Sequence, residues 1–222
     1  MTENTKAKKK ELELRELEAN VKKAEADAEK ALLELDDTKH AYAWSSLNKA
    51  SRTGVFYFDE VVDHTSVSYM TGQLRRYSKL NPKAPIEIVL NTPGGQVIQG
   101  LALFDEIRTL SEVHGHEVTT RVRGYAASMG AVLLQAGDKR IVGAESYIMI
   151  HEISSGSMGK LHEMENDVET SKMLNKRLFD IMARRTGGRY TGTKLYAKAK
   201  AKDVWISAKE AVEDYGLADE IG

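Results

Sequence analysis

The sequence predicts an α/β fold in a chain of 222 residues. Short apolar runs rich in β-branched residues alternate with longer segments in which apolar residues recur every three or four positions. These two patterns are typical of strands and helices respectively. Glycine and proline separate many of the segments, as they do where regular elements end. Strands that alternate with helices usually lie parallel in one sheet and are joined by right-handed crossovers.

These patterns also place the individual elements. Strands are predicted at residues 55–58, 86–90, 118–122, 141–142, 147–150 and 204–206. Helices are predicted at residues 65–80, 97–110, 128–135, 160–185 and 208–215. Pro82 and Pro85 end the first of these helices, and Ser207 is a typical N-cap for the last one.

Composition excludes several classes of protein. The 32 Lys and Arg residues nearly balance 33 Asp and Glu, and the net charge of -1 argues against binding to nucleic acid or to an anionic membrane. The absence of cysteine excludes disulfide scaffolds, cysteine–zinc sites and thiol nucleophiles. No apolar run approaches the ~20 residues of a membrane span, and no apolar signal segment follows the first lysines. We therefore expect a cytoplasmic protein without a metal or a cofactor.

The first 40 residues differ in composition from the rest of the chain. They carry 20 charged side chains, 9 basic and 11 acidic, and contain no proline or glycine. Apolar residues recur there at heptad spacing, at Leu14, Leu17, Val21, Ala24, Ala28, Ala31 and Leu35. The spacing predicts a charged helical arm, similar to a coiled coil, over residues 1–45 and a separate domain over residues 46–222. A single solvated helix is the alternative, because the alanines bury little apolar area.

Two junctions between a strand and a helix are candidates for chemistry. Gly94 and Gly95 follow the strand at 86–90, and glycines there allow backbone N–H groups to face a bound group. Ser128 lies between small residues at the start of a helix, as the serine of a nucleophile elbow does. Simpler interpretations stay open, because the glycines also suit an ordinary tight turn and Ser128 an ordinary N-cap.

A nucleophilic serine needs a base, and His151 is the strongest candidate. It follows the apolar strand 147–150, at the carboxyl end where α/β folds display functional side chains. The other histidines are expected in the arm or in solvated segments, at His40, His64, His114, His116 and His162. Of these, the pair at 114 and 116 has a spacing that suits a metal, but no carboxylate or cysteine pattern accompanies it.

The base in turn needs an acid that orients its ring. The aspartates that follow the histidine are Asp167, Asp180, Asp203, Asp214 and Asp219. Position favours Asp203 modestly, because it comes immediately before the strand at 204–206, where the chain reverses.

Taken together, these segments resemble the ClpP family of serine peptidases, the Clp protease proteolytic subunits of peptidase family S14. The similar stretches are NTPGG at 91–95, GYAASMGA at 124–131, MIH at 149–151 and DVWISA at 203–208. They occur in the family's order within a region that runs from about Val55 to Ile221. The resemblance implies the ClpP/crotonase-like α/β fold of repeated β-β-α units. It also implies a Ser–His–Asp chain order, which differs from the Ser–Asp–His order of α/β-hydrolases.

Matched residue by residue, the resemblance implies roles for five positions. Ser128 corresponds to the nucleophile, His151 to the general base and Asp203 to the acid that orients it. The backbone N–H groups of Gly95 and Met129 correspond to the oxyanion hole. No metal or cofactor is implied.

The resemblance also implies a homo-oligomer of two stacked rings of seven around a closed chamber, usually fed by an AAA+ unfoldase. The helix at 160–185 corresponds to the element through which the rings contact each other.

Three features differ from the family. Glu152 follows the histidine where proline is common, the connection around residues 114–116 is longer, and the first 40 residues replace a short segment that lines the axial pore. The last difference favours a variant of the kind found in phages and mobile elements, such as a head-maturation peptidase.

The function expected from these observations is a serine endopeptidase that acts on unfolded or flexible polypeptides. One alternative is an acyl-CoA hydratase or isomerase of the crotonase type, which shares the fold but needs no serine nucleophile. Another is a non-catalytic assembly module in which the arm is the functional part.

Overall fold

A sheet of seven strands positions the rest of the protein. The computed structural model describes residues 53–222 and Lys23, and Ala50–Gly222 form one compact unit. The strands are β1 (Val55–Phe58), β2 (Ile86–Thr92), β3 (Val118–Ala127), β4 (Lys139–Val142), β5 (Tyr147–Ile150), β6 (Val204–Ser207) and β7 (Glu220–Ile221). Apart from Lys23, the arm expected over residues 1–45 lies outside the described residues.

Six helices accompany this sheet within residues 53–222. They are α1 (His64–Leu80), α2 (Val97–Glu112), α3 (Met129–Leu134), α4 (Leu161–Arg184), α5 (Gly192–Ala199) and α6 (Ala208–Glu210). A π-helical turn, Ala211–Tyr215, continues α6. Over the part of the chain that is described, no helix has both the length and the apolar character needed to cross a membrane.

The strands pair in parallel in the order β1-β2-β3-β4-β7, and β5 joins β3 to the antiparallel strand β6. The long strand β3 serves two partners in succession. Its first half pairs with β4 up to Val122 and Val142, and its second half pairs with β5 up to Ala127 and Met149. If the two halves of β3 are counted as two strands, they and the helix α3 that follows have the expected β-β-α order. Elsewhere in residues 53–222 strands and helices mostly alternate singly.

One face of the central strands forms the core with the helices. Alternate side chains of β2 and β3 are buried there, namely Ile86, Ile88, Leu90, Val118, Thr120 and Val122. The opposite face is more polar, and on it Glu87 and Arg121 form an ion pair of 2.5 Å between neighbouring strands. Alternation of this kind fixes the register of each strand, since a shift by one residue exchanges the two faces.

The elements depart from the sequence-based prediction in three places. The prediction ended β3 at Val122, but the strand continues through Gly124, whose φ of +90° changes the strand's direction before it pairs with β5. Helix α5 was missed because it is only 8 residues long. Strand β7 was missed because its two residues become a strand only through pairing with β4.

The expectation that His116 is solvated is wrong. The residue is 3% exposed, its Nδ1 lies 2.7 Å from the Ala84 carbonyl oxygen, and its Nε2 lies 2.7 Å from Ser78 Oγ. These contacts connect the segment before β3 to the end of α1 and the start of β2. No group of three metal-binding side chains forms here or elsewhere among the described residues.

A buried arginine attaches the C-terminal segment to the sheet. The Arg140 side chain is 6% exposed and donates hydrogen bonds to the Asp219 carboxylate, to Gln135 Oε1 and to the Gly216 carbonyl. Gln135 donates onward to the Leu217 carbonyl at 3.1 Å. Burial by itself raises the pKa of Asp219, but the hydrogen bonds and the charge of Arg140 outweigh burial and lower the pKa.

We therefore expect Asp219→Asn to lower the free energy of unfolding by about 1–3 kcal/mol at neutral pH, since Arg140 loses its charged acceptor. The pKa of Asp219 is lower in the folded than in the unfolded state. Its contribution is thus present above the unfolded value, about 3.9, and disappears as the pH falls through the folded value. Urea denaturation should show the difference from the wild type shrinking in acid. Asp214→Asn, at an exposed position, is the control, and a loss that persists undiminished in acid contradicts this explanation.

Candidate active site

Ser128 lies in a sharp turn between β3 and α3. Its backbone has φ +55° and ψ -117°, a region that residues with a Cβ adopt rarely and at a cost of about 1–3 kcal/mol. Its N–H donates to the Met149 carbonyl at 2.8 Å, which holds the turn against β5. The turn therefore has the local geometry of a nucleophile elbow.

The Ser128 side chain does not cap the helix that follows. Although Ser128 is at the N-cap position of α3, it makes no capping hydrogen bond with its side chain. Its Oγ instead lies 2.8 Å from His151 Nε2. The simpler interpretation of this serine as an ordinary N-cap is therefore wrong.

His151 lies between the serine and an aspartate. It follows β5 directly, and β6 pairs antiparallel with β5 so that Ile150 is opposite Val204. This register brings Asp203 beside the histidine, with 3.4 Å between His151 Nδ1 and Asp203 Oδ1. The contact is longer than an ordinary hydrogen bond, and the Asp203 side chain is 59% exposed. The structure thus brings all three sequence-predicted side chains into one row.

The glycine turn after β2 lies directly beside the elbow. Gly94 has φ +88° and Gly95 φ +147°, and a Cβ on Gly94 would lie 2.7 Å from the Met129 nitrogen. Val62 holds the turn from its other side, donating to the Gly94 carbonyl at 2.8 Å and accepting from the Gln96 N–H at 2.7 Å. Glycine is required here by conformation and by space, so the turn is more than an ordinary tight turn.

Two backbone donors remain without an acceptor at this site. Among residues 53–222, neither the Gly95 N–H nor the Met129 N–H donates to a protein group. Both belong to turns that meet beside Ser128. Unused N–H groups beside a nucleophile are suited to binding an oxyanion.

Sequence reasoning missed the residues that support these donors. A Cβ on Gly100 of α2 would lie 2.4 Å from Met129 Cγ, so this glycine lets the Met129 side chain pack tightly under the elbow. Thr92 Oγ1 accepts from the Gly94 N–H at 3.1 Å and donates to the Glu60 carbonyl at 2.6 Å. A glycine inside a helix was the available signal for the first contact, while nothing local indicated the second.

An apolar pocket of about 190 Å³ adjoins Ser128 and His151. Its apolar lining consists of Val97, Met129, Val132, Ile150, Ile153, Leu178, Phe179 and Met182. The last three come from α4, whose buried residues are confined to its C-terminal part. The sequence could not indicate this pocket because its walls come from four separate segments of the chain.

Comparison with known proteins agrees with the fold and the motifs. The Clp protease family model matches residues 37–222. The ATP-dependent Clp protease proteolytic subunit of Bacteroides fragilis is 32% identical over 169 residues, which are 75% of this chain and 78% of that protein. The protein of the same name from Bacteroides thetaiotaomicron is also 32% identical over 169 residues, 75% of this chain and 73% of that protein. The chain therefore belongs to the Clp protease family, the ClpP-type peptidases of family S14, and the resemblance seen in its motifs is confirmed.

We expect Gly95→Ala to reduce peptide hydrolysis by about 10²–10³-fold, because a Cβ there would lie 2.3 Å from the Val62 carbonyl and displace the N–H donor. Initial rates with a short fluorogenic peptide measure the effect. Gly72→Ala is the matched control, since a Cβ at this exposed helical position meets nothing within 4 Å. Equal rates for Gly95→Ala and the wild type would exclude the Gly95 N–H as a needed donor.

The pocket predicts a preference for apolar side chains next to the cleaved bond. Peptides with Leu, Met or Phe on the acyl side should exceed peptides with Asp or Lys by about 10-fold or more in kcat/KM, since an ionic group would enter the pocket without a partner. A peptide series that varies only at this position measures the preference. Equal kcat/KM for Leu and Asp would show that the pocket does not receive this side chain.

Proposed function

We propose that the chain is a serine endopeptidase that cleaves unfolded or flexible polypeptides, with Ser128, His151 and Asp203 as its catalytic triad. The observation that carries the proposal is the 2.8 Å separation of Ser128 Oγ and His151 Nε2 in a strained elbow beside an apolar pocket. Membership in a family of peptidases supplies the reaction class.

Acylation would begin when Ser128 Oγ attacks the carbonyl carbon of the scissile peptide bond. The hydroxyl proton passes to His151 Nε2, and Asp203 stabilises the imidazolium that forms. The carbonyl oxygen becomes an oxyanion, which accepts hydrogen bonds from the N–H groups of Gly95 and Met129. The C–N bond then breaks, and the leaving amine takes the proton from His151.

Deacylation repeats these steps with water as the nucleophile. His151 takes a proton from the water molecule that attacks the ester, the same two N–H groups bind the second oxyanion, and Ser128 leaves as its hydroxyl. The net reaction adds one water across one peptide bond. It uses only groups of this chain, substrate and water.

The proposal includes assembly into an oligomer with an enclosed chamber. Its support is an exposed apolar stripe on the N-terminal half of α4, formed by Leu161, Met164 and Val168 at spacings of three and four residues. Contiguous apolar side chains exposed on a surface can mark a contact with another chain. The curated relatives are named as subunits of an ATP-dependent protease, which supports an ATPase partner for this chain as well. Residues 1–45 form a separate arm in this proposal, which makes them candidates for gating or for recruiting a partner.

The two alternative functions lack a comparable observation. A crotonase-type acyl-CoA enzyme has no need of a strained serine beside a histidine. A non-catalytic module would have no reason to keep the serine and histidine in hydrogen-bonding distance at a cost in backbone strain.

Labelling by a fluorophosphonate tests the proposed function. We expect the wild type to be labelled stoichiometrically and to hydrolyse short peptides, because the base activates Ser128. Ser128→Ala should lose the label, and Ser128→Ala and His151→Ala should each lose most hydrolysis, since members of a triad act as a unit. Ser68→Ala, at an exposed serine of α1, should retain both. Hydrolysis by Ser128→Ala at the wild-type rate would exclude the proposed mechanism.

A further inference from the structure

Glu152 connects three parts of the site. It follows His151 directly, and its two carboxylate oxygens have different partners. Oε2 accepts a hydrogen bond from the Tyr196 hydroxyl of α5 at 3.0 Å, and Oε1 accepts one from the Ala201 N–H at 3.3 Å. Ala201 lies in the short segment between α5 and Asp203. One carboxylate thus joins the end of β5 to the segment that carries the aspartate.

Asp203 depends on support of this kind. Its carboxylate accepts no hydrogen bond from residues 53–222, is 59% exposed, and lies 3.4 Å from His151 Nδ1. The backbone conformation of the segment before Asp203 is unfavourable, because Ala201 adopts a positive φ of +58°, which residues with a Cβ rarely do. The position of the carboxylate is therefore determined by the backbone at residues 200–203 rather than by hydrogen bonds that it accepts.

Tyr196 gives Glu152 a fixed partner. Its ring packs edge-on against Phe179, with centroids 5.3 Å apart, and Phe179 lines the apolar pocket. The hydrogen bond to Glu152, with burial and the charge of the carboxylate, raises the pKa of Tyr196. The phenol, which is protonated at neutral pH like other tyrosines, thus remains a donor to a higher pH.

We propose that Glu152 is the positioning residue for Asp203: it holds the segment at 200–203 so that the aspartate lies against His151. The inference rests on the proposed function, in which Asp203 orients the histidine. Glu152 is hydrogen-bonded to neither Ser128 nor His151 and does not line the apolar pocket, so its effect passes through Asp203.

The two hydrogen bonds predict a graded series of variants. Glu152→Ala removes both acceptors. Glu152→Gln keeps an acceptor for only one of the two donors, and Tyr196→Phe removes only the hydroxyl. Because a misplacement of about 1 Å in a catalytic group costs on the order of 10²-fold, Glu152→Ala should lower kcat about 10–100-fold. The other two variants should lie between it and the wild type, and KM should stay within about 2-fold in all three.

Glu145→Gln is the matched control. Glu145 is an exposed glutamate before β5 with no hydrogen-bond or ion-pair partner among residues 53–222. Its substitution removes the same charge at the opposite end of β5 and should leave kcat unchanged. A fall in kcat for Glu145→Gln equal to that for Glu152→Gln would show that charge, not the connection, matters. Urea denaturation of each variant identifies any that fail to fold. If the Glu152 variants do not fold, the kcat of Tyr196→Phe, which is the smallest change, decides whether the connection matters.

A second background separates positioning from a general structural effect. In Asp203→Asn, the aspartate no longer stabilises the imidazolium, so adding Glu152→Ala should change kcat less than about 2-fold beyond the single variant. The rate of fluorophosphonate labelling should follow the same pattern. An equal loss in both backgrounds, or a change in KM alone, would overturn the inference.

Hydrogen–deuterium exchange of the full chain gives a readout that needs no activity. Peptides that span residues 200–203 should exchange faster in Glu152→Ala than in the wild type or in Glu145→Gln, because the Ala201 N–H loses its acceptor. If hydrolysis proves independent of Ser128, the proposed function fails by itself, and exchange still decides the connection. Unchanged exchange in Glu152→Ala overturns the inference whatever the activity.

Discussion

The close approach of two backbone turns is the constraint on which the candidate site depends. The turn after β2 and the elbow after β3 are neighbours because these strands are adjacent and parallel. A Cβ on Gly94 would lie within 2.6 Å of the Ala127 carbonyl, so the two turns meet with no side chain between them. This contact leaves the N–H groups of Gly95 and Met129 free beside Ser128. Helix α2 depends on it too, since Gly100 packs against Met129.

Two members of the proposed triad, Ser128 and Asp203, are held in place by the surrounding structure to different degrees. Ser128 is held by strands on both sides and by its own hydrogen bond to β5, and the surrounding structure maintains its strained backbone. Asp203 comes from β6, at the antiparallel edge of the sheet, and is exposed. Glu152 compensates by connecting that edge to α5. The position of Ser128 is thus fixed by the surrounding strands, whereas in our proposal the position of Asp203 depends on a single neighbouring carboxylate.

Helix α4 has two different parts. Its buried residues lie between Leu178 and Ala183 and include side chains of the apolar pocket. Its first half is exposed, and among the described residues nothing covers its apolar side chains. Any chain that covers the exposed half therefore contacts the same helix that forms a wall of the pocket. The helix has the length for both roles, since its 24 residues span about 36 Å.

The sequence by itself determined the α/β class and most strands and helices, and it made Gly95, Ser128 and His151 candidates, because periodicity, glycine and small-residue patterns are local. Met129 was identified only through the resemblance to the ClpP family, and Asp203 mainly so, since its position favoured it only modestly. The structure brings these positions together, and the family is confirmed. Only the tertiary structure decided what depends on contacts between distant segments: the division of β3, the burial of His116, the short elements α5 and β7, the walls of the pocket and the connection made by Glu152. A single glutamate after a histidine carries no local signal, since its partners are 44 and 49 residues away in the chain and meet it only when β5 pairs with β6.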